Sequence, residues 1–369
     1  MSVKVRLFFA VLMLLALTFG YLHLFVGGGA YNFERLHIFL FNLCSGGTIL
    51  LYFTEDLQRF TGKLVLFLAL AIGFAVLSFY QIYGPAIVTA WGLSIIVEMV
   101  RIKRFSFIPL QLFKKDEPVY LRFHQASLLC LSVGLIVSSL VILNNEFLHL
   151  IYLPKLKLDT FFLGFSFPVS LITMSIIFSS IENKPGTQVK IMKEIGFWAI
   201  NLGVIFFFCL IIFEIIIPQI IVTAILFFAV LMIFYIYYRY SRRMQQKNFL
   251  ISGLGFLFFS AVTGVLYVWF EFILDYHPGQ LKELLRLHAF ASLYGWNLCG
   301  LAVICRYRDF PIQLHSTTII ILHWVTVIIA ATLANYYPVL ATISVLGYAA
   351  ILYLLFFSKG EAFGQKKFL

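Results

Sequence analysis

Apolar runs of about 18 to 25 residues, long enough to cross a bilayer as helices, recur from one end of this chain to the other. Nothing else in it constrains the fold as much. Inside hydrocarbon every backbone N–H and C=O needs an internal partner, and a continuous apolar run finds one by winding into a helix. Twelve such runs can be placed, near 5–26, 35–54, 62–80, 84–101, 119–143, 158–181, 193–217, 218–238, 248–272, 284–305, 313–334 and 338–357. The expectation is an all-α polytopic membrane protein of about twelve transmembrane helices, forming one transmembrane domain over 1–369. Composition agrees, since 62% of the residues are hydrophobic and 12% charged, and a soluble domain carries about twice that charged share. Only Pro218 and Gln219 separate the seventh and eighth runs, and a proline suits a tight turn there. The basic head and apolar stretch at the start resemble a signal peptide, but no small-x-small cleavage site follows and the run is long enough to span. It counts as the first helix.

Basic residues then orient the spans. Lys4 and Arg6 precede the first. Arg59 and Lys63, then Arg101, Lys103, Arg104, Lys114 and Lys115, then Lys184, Lys190 and Lys193 fall on alternate connections. Arg239, Arg242, Arg243 and Lys247 continue the series, followed by Arg306 and Arg308, and finally Lys359, Lys366 and Lys367. All lie on one side, while the other side carries Glu146, Asp159, Asp275 and Glu283. By the positive-inside rule both termini are expected in the cytoplasm, with the chain a multi-pass protein of the cytoplasmic (inner) membrane. The net charge of +11 follows from this topology, so the lipid bilayer is the partner it implies and nucleic acid is not required. The five cysteines form no C-x-x-C pair, which leaves neither a disulfide framework nor a zinc site.

One phrase is written twice. "RLHIFLFNLCSGG" opens at Arg35 and "RLHAFASLYGWNLCG" at Arg286, each with Arg-Leu-His-x-Phe and then Asn-Leu-Cys before a glycine. On a twelve-span topology both open at the outer ends of parallel-running helices, so His37 and His288 lie at similar depth. At about 100° per residue, Cys44 returns to the face of His37 and Cys299 to that of His288. On the tenth span the histidine face continues through Ala291, Ser292 and Gly295, small residues that leave a shallow trough. It can take a neighbouring helix, as small residues do in membrane bundles, or a flat cofactor. Taken singly, Arg35 and Arg286 read as headgroup anchors, and a membrane histidine as a hydrogen-bonded packing residue. Two histidines matched in depth and neighbours point further, because ionisable groups within a membrane are costly and tend to be functional. Arg122 and His124, in "LRFHQA", open the fifth span on the inner side and cannot share that site. His323 lies deep in the eleventh span without an evident partner.

This pattern resembles the main subunit of heme-copper oxidases and nitric oxide reductases. "HAFASLYGWN" is similar to that family's span-ten pattern His-Ala-His-x-x-Leu-Phe-Gly, with Tyr294 at the aromatic position and Gly295 at the glycine. "RLHIF" resembles the Arg-x-x-His opening of its span-two segment. The resemblance implies a heme-copper-oxidase-like bundle in which a b-type heme is bound near the outer face by His37 and His288. Arg35 and Arg286 would hold its propionates, and Ala291, Ser292 and Gly295 would leave room below. The departures are informative. The family's copper centre takes histidines from spans six and seven, where 158–181 and 193–217 contain none, so no copper centre of that kind is expected, and no oxygen or nitric oxide reductase activity by the chain alone. Phe290 replaces the second histidine of span ten, and "NYYP" stands where the family has paired arginines. The implied function is electron transfer with a redox partner subunit, a cytochrome or a quinol, or binding of a diatomic gas. The alternative is a twelve-helix transporter or a cofactor-free membrane assembly subunit, against which stands the lack of an inverted repeat with paired Gly-Pro breaks.

Topology is testable first. Reporters fused after Lys115, Lys190 and Lys247 are expected to read cytoplasmic, and reporters near Lys155 or Gly279 external. A cytoplasmic signal at Gly279 would put His37 and His288 on opposite sides of the membrane.

Overall fold

The computed structural model describes the chain apart from residues 23, 27–30, 56–59, 153–155, 157–161, 184–187, 214, 243–245, 273–280, 308, 311–315, 335 and 360–369. Among the described residues there are no strands, and a single bridge joins Ile181 to Ser241. The helical spans in order are α1 (Val3–Leu22), α2 (Phe33–Thr54), α3 (Gly62–Phe79), α4 (Tyr83–Arg104), α5 (Val119–Leu148) and α6 (Gly164–Ser180). They continue with α7 (Val189–Ile212), α8 (Ile216–Tyr240), α9 (Lys247–Phe272), α10 (Lys282–Cys305), α11 (Thr317–Leu333) and α12 (Pro338–Phe357). Ten are long and apolar enough to cross a membrane, while α6 and α11 are shorter apolar helices. Both short helices follow residues outside the description, where the expected spans 158–181 and 313–334 begin. A multi-pass membrane protein results.

The break between α7 and α8 falls between Ile212 and Ile216, upstream of the expected turn at Pro218 and Gln219. Pro218 instead sits in the first turn of α8. Its missing N–H costs nothing there, because the first N–H groups of a helix have no partner within it.

Burial sorts the helices into inner and outer. In α2 89% of the apolar window is buried and in α10 78%, against 28% in α3, α7 and α8. The two helices that carry the repeated phrase are thus the inner ones. Outer helices turn side chains such as Val88, Phe228 and Leu346 outward, as a lipid-facing surface requires. Both inner helices also change winding partway, to π-helix over Phe39–Gly47 in α2 and Ala291–Asn297 in α10.

Charged side chains gather where helices end. Arg104 donates to the Thr54 carbonyl at the end of α2, at 3.0 Å. Arg306 donates to the Leu355 and Ser358 carbonyls at the end of α12, and Arg6 to that of Phe356 at 2.9 Å. Lys193 meets the Ile181 carbonyl after α6 at 2.6 Å, and Lys247 that of Ser241 after α8 at 3.2 Å. The last carbonyls of a helix have no partner within it and carry its negative dipole end. Cations from neighbouring elements satisfy both. Phe53 at the end of α2 packs on Tyr307 just after α10, with ring centroids 5.8 Å apart, so these termini share one basic end of the bundle.

Between helices, small residues permit close approach. A Cβ built at Gly134 of α5 would collide with the Cα of Gly164 in α6, and Ser127 donates to the Pro168 carbonyl across the same interface at 2.7 Å. Gly73 on α3 has open space where its Cβ would stand. Gly134→Val is therefore expected to lower stability by roughly 1–3 kcal/mol or more by overpacking. It should melt earlier than wild type in detergent by fluorescence-detected size exclusion, whereas Gly73→Val should melt with it. Equal melting of Gly134→Val and wild type would remove the close contact.

Candidate functional site

The two copies of the repeated phrase lie against each other. The Asn297 side-chain amide donates to the Asn42 carbonyl oxygen at 3.2 Å. These are the asparagines of the two Asn-Leu-Cys echoes, and both are about 1% exposed. Nearer the helix starts, Arg286 pairs with Glu34 of α2 at 3.2 Å and with Glu283 at 2.8 Å. Asn32 caps α2 by accepting the Arg35 backbone N–H at 2.9 Å, which fixes where the phrase begins. Between these points the His37 ring stacks on Tyr294 of α10, with centroids 6.2 Å apart and planes 26° from parallel. Its other side lies against Gly20 of α1, where an added Cβ would sit 3.4 Å from the imidazole Cγ.

His288 faces elsewhere. Its Nδ1 donates to the Ser260 carbonyl of α9 at 2.9 Å, and the Thr263 hydroxyl lies 3.1 Å from the same nitrogen. A carbonyl only accepts, so in the neutral ring the lone pair is on Nε2. One turn further on, Ser292 donates to the Ser260 hydroxyl at 3.0 Å, and a Cβ at Gly295 would lie 2.5 Å from the Phe256 ring. Ala291 is fully buried. Of the two occupants the small-residue trough permits, α9 takes it, with Phe256 stacked in turn on Trp324 at 4.1 Å.

The expected histidine-cysteine stripe holds on α10 in spite of its π-helical stretch over Ala291–Asn297: His288, Ser292, Gly295 and Cys299 all face α9. Cys299 packs on Gly253 of α9, where an added Cβ would be 2.9 Å from its own. Cys44 and Cys299 are both fully buried.

Sequence reasoning passed over the aromatic cluster beside His37. Tyr294 is ringed by Phe41, Phe290 and Tyr348 at 5.0 to 5.4 Å, and Tyr21 of α1 stacks on Phe290 at 5.5 Å. Tyr21 shares a hydrogen bond with Ser344 of α12 at 2.9 Å, while the buried hydroxyls of Tyr294 and Tyr348 have no partner among the described residues. His323 finds its partner here too, donating from Nε2 to the Tyr294 carbonyl at 2.6 Å. The echoed asparagines were visible in the sequence. The tyrosines, in an aromatic-rich chain, were not.

The remaining ionisable groups of interest lie at the basic end. His124 pairs with the Thr54 hydroxyl at 2.8 Å and is sandwiched by Phe53 and Phe105, and Arg122 is held by Glu194. Thr54 closes α2 and His37 opens it, so the Arg122–His124 pair is separate from the outer histidines, as expected. His149 is exposed, and His23, His277 and His315 lie outside the described residues.

Two observations test these residues against a heme. The donor set at His288 fits an axial ligand, because a ligating imidazole normally gives its other N–H to a carbonyl or carboxylate. The face below it does not fit as the floor of a macrocycle, since Phe256 and Ser260 fill it. Arg286 fits a propionate less well than a lone guanidinium would, being already paired with Glu34 and Glu283. Among the described residues no three His, Cys, Asp or Glu side chains gather as a metal-binding group, although axial ligation of a heme needs only one or two. Comparison of the chain with protein-family models, curated proteins and solved structures gives no match in any of the three.

Proposed function

We propose that the chain is a heme-copper-oxidase-like membrane protein without the copper centre, holding one b-type heme near the outer ends of α2 and α10. On this reading both termini and the basic end of the bundle are cytoplasmic. The observation that carries it is the adjacency of the repeated phrases: the two inner helices, each with a histidine near its start, meet further along through Asn42 and Asn297. The Ser260 carbonyl fixes His288 in the tautomer whose Nε2 can bind iron. His37 is the second ligand in this proposal, oriented by Tyr294 and Gly20. Because α9 occupies Ala291, Ser292 and Gly295, those residues set the position of His288 and do not themselves touch the heme. Arg35 and Arg286 stand at the entrance, where Glu34 and Glu283 share the charge of Arg286.

A heme held there supplies one-electron transfer when both axial positions are imidazole, or a binding place for a diatomic gas when one is open. The protein then works with an electron donor such as a quinol, a cytochrome or a partner subunit. The second reading, a cofactor-free assembly subunit, is favoured by the packing of α9 into the small-residue face.

Absorption spectra separate the two. Purified protein, oxidised and then reduced with dithionite, is expected to show a b-type spectrum from equimolar heme, and no stoichiometric copper. His37→Ala or His288→Ala should abolish or grossly change that spectrum, while His124→Ala and His149→Ala should leave it intact. Carbon monoxide should leave the spectrum of a two-histidine site unchanged and shift that of a one-histidine site. Heme-free protein, or normal spectra in both single variants, would leave the assembly-subunit reading in its place.

A further inference from the structure

At the basic end, the start of α5, the end of α6, the start of α7 and the end of α8 surround a cavity of about 740 Å³. That volume is in the range of small-molecule sites, roughly 300–1,000 Å³. Its charges are layered. Lys193 lines the base and is only 8% exposed, and it gives one N–H to the Ile181 carbonyl. Lys115 and Lys190 stand exposed at the rim. Four carboxylates also line the cavity: Glu182 is engaged with Arg242 at 3.2 Å and Glu194 with Arg122, while Asp116 and Glu117 stand beside Lys115. Among the described residues no carboxylate is within ion-pair distance of Lys115, Lys190 or Lys193.

An ammonium carries three donors, and the one bond that Lys193 makes among the described residues uses one of them. A buried cation with donors to spare is costly unless an anion meets it. Phe178 and Val119 give the same cavity an apolar side. On the proposed topology these helix ends lie at the level of the lipid headgroups, where basic pockets between membrane helices take up phosphate-bearing lipids.

We propose that this cavity binds a phosphate-bearing anion, with its phosphate on Lys193, Lys115 and Lys190 closing over it, and Phe178 and Val119 beside its apolar part. The phosphate belongs either to a lipid headgroup or to a soluble organic phosphate. The site is at the opposite end of the bundle from His37 and His288 and does not depend on heme.

The test uses the full chain, purified in detergent and stripped of lipid, with binding read by native mass spectrometry and by thermal shift. The probes are inorganic phosphate, glycerol 3-phosphate and phosphatidylglycerol, with diacylglycerol as the lipid that lacks phosphate. Binding of glycerol 3-phosphate assigns a soluble ligand, and binding of phosphatidylglycerol alone assigns a headgroup; either supports the site. Lys115→Ala with Lys190→Ala removes two exposed rim charges and should weaken binding roughly 30-fold. Lys103→Ala with Lys114→Ala makes the same change in charge outside the cavity and should weaken it by no more than about twofold. Lys193→Gln should abolish binding, and the rim pair keeps the question decidable if that variant does not fold. Failure of every phosphate probe to bind wild type, equal binding of diacylglycerol, or equal weakening by the two lysine pairs would each overturn the proposal.

Discussion

A helix in hydrocarbon satisfies its own backbone everywhere except at its ends, and the last carbonyls of this bundle set much of its arrangement. Thr54, Ile181, Ser241, Leu355 and Phe356 each expose a carbonyl that receives an arginine or lysine from another element. Those cations are the ones whose distribution along the sequence orients the spans. Topological charge bias and helix capping are thus one interaction at this end. On the proposed topology the cations steer the even-numbered helices to stop on their side, and the stopped helices in turn hold the cations in place.

The same logic explains how far the sequence could be read. The helical class and approximate limits of most spans were legible because runs such as 248–272 and 338–357 are apolar on every side, and a bilayer leaves such a run one solution. Among the described residues ten of the twelve expected runs form helices long enough to cross. The α7–α8 break was misplaced because proline marks a helix start as well as a turn, and Pro218 occupies the first turn of α8. The identity of the inner helices was partly legible. α2 and α10 hold most of the buried asparagine and histidine near the outer end, and polar groups in a membrane turn toward the bundle.

At the site, pairing and the face of α10 were legible, and what lies against that face was not. That α2 and α10 belong together could be inferred from the repeated words, and the Asn42–Asn297 bond joins them. That α9 fills the small-residue face, with Phe256 at Gly295 and the Ser260 carbonyl on His288, and that Gly20 of α1 lies against His37, have no signal in the repeated words. Each is a matter of packing between distant segments, which a single sequence does not display.

The Asn42–Asn297 bond has a mechanical meaning as well. Two buried amides in a membrane interior have no water to turn to, so sliding α2 along α10 by one turn would strand Asn42 and leave Asn297 with Ser166 alone. Tilt or rotation of one helix about the amide pair keeps the bond. The pair therefore favours a pivot over a slide. A tilt about that pivot would carry a displacement at the Glu34–Arg286 end, reversed in direction, to Thr54 and the side chains of Arg104 and His124 bound to it.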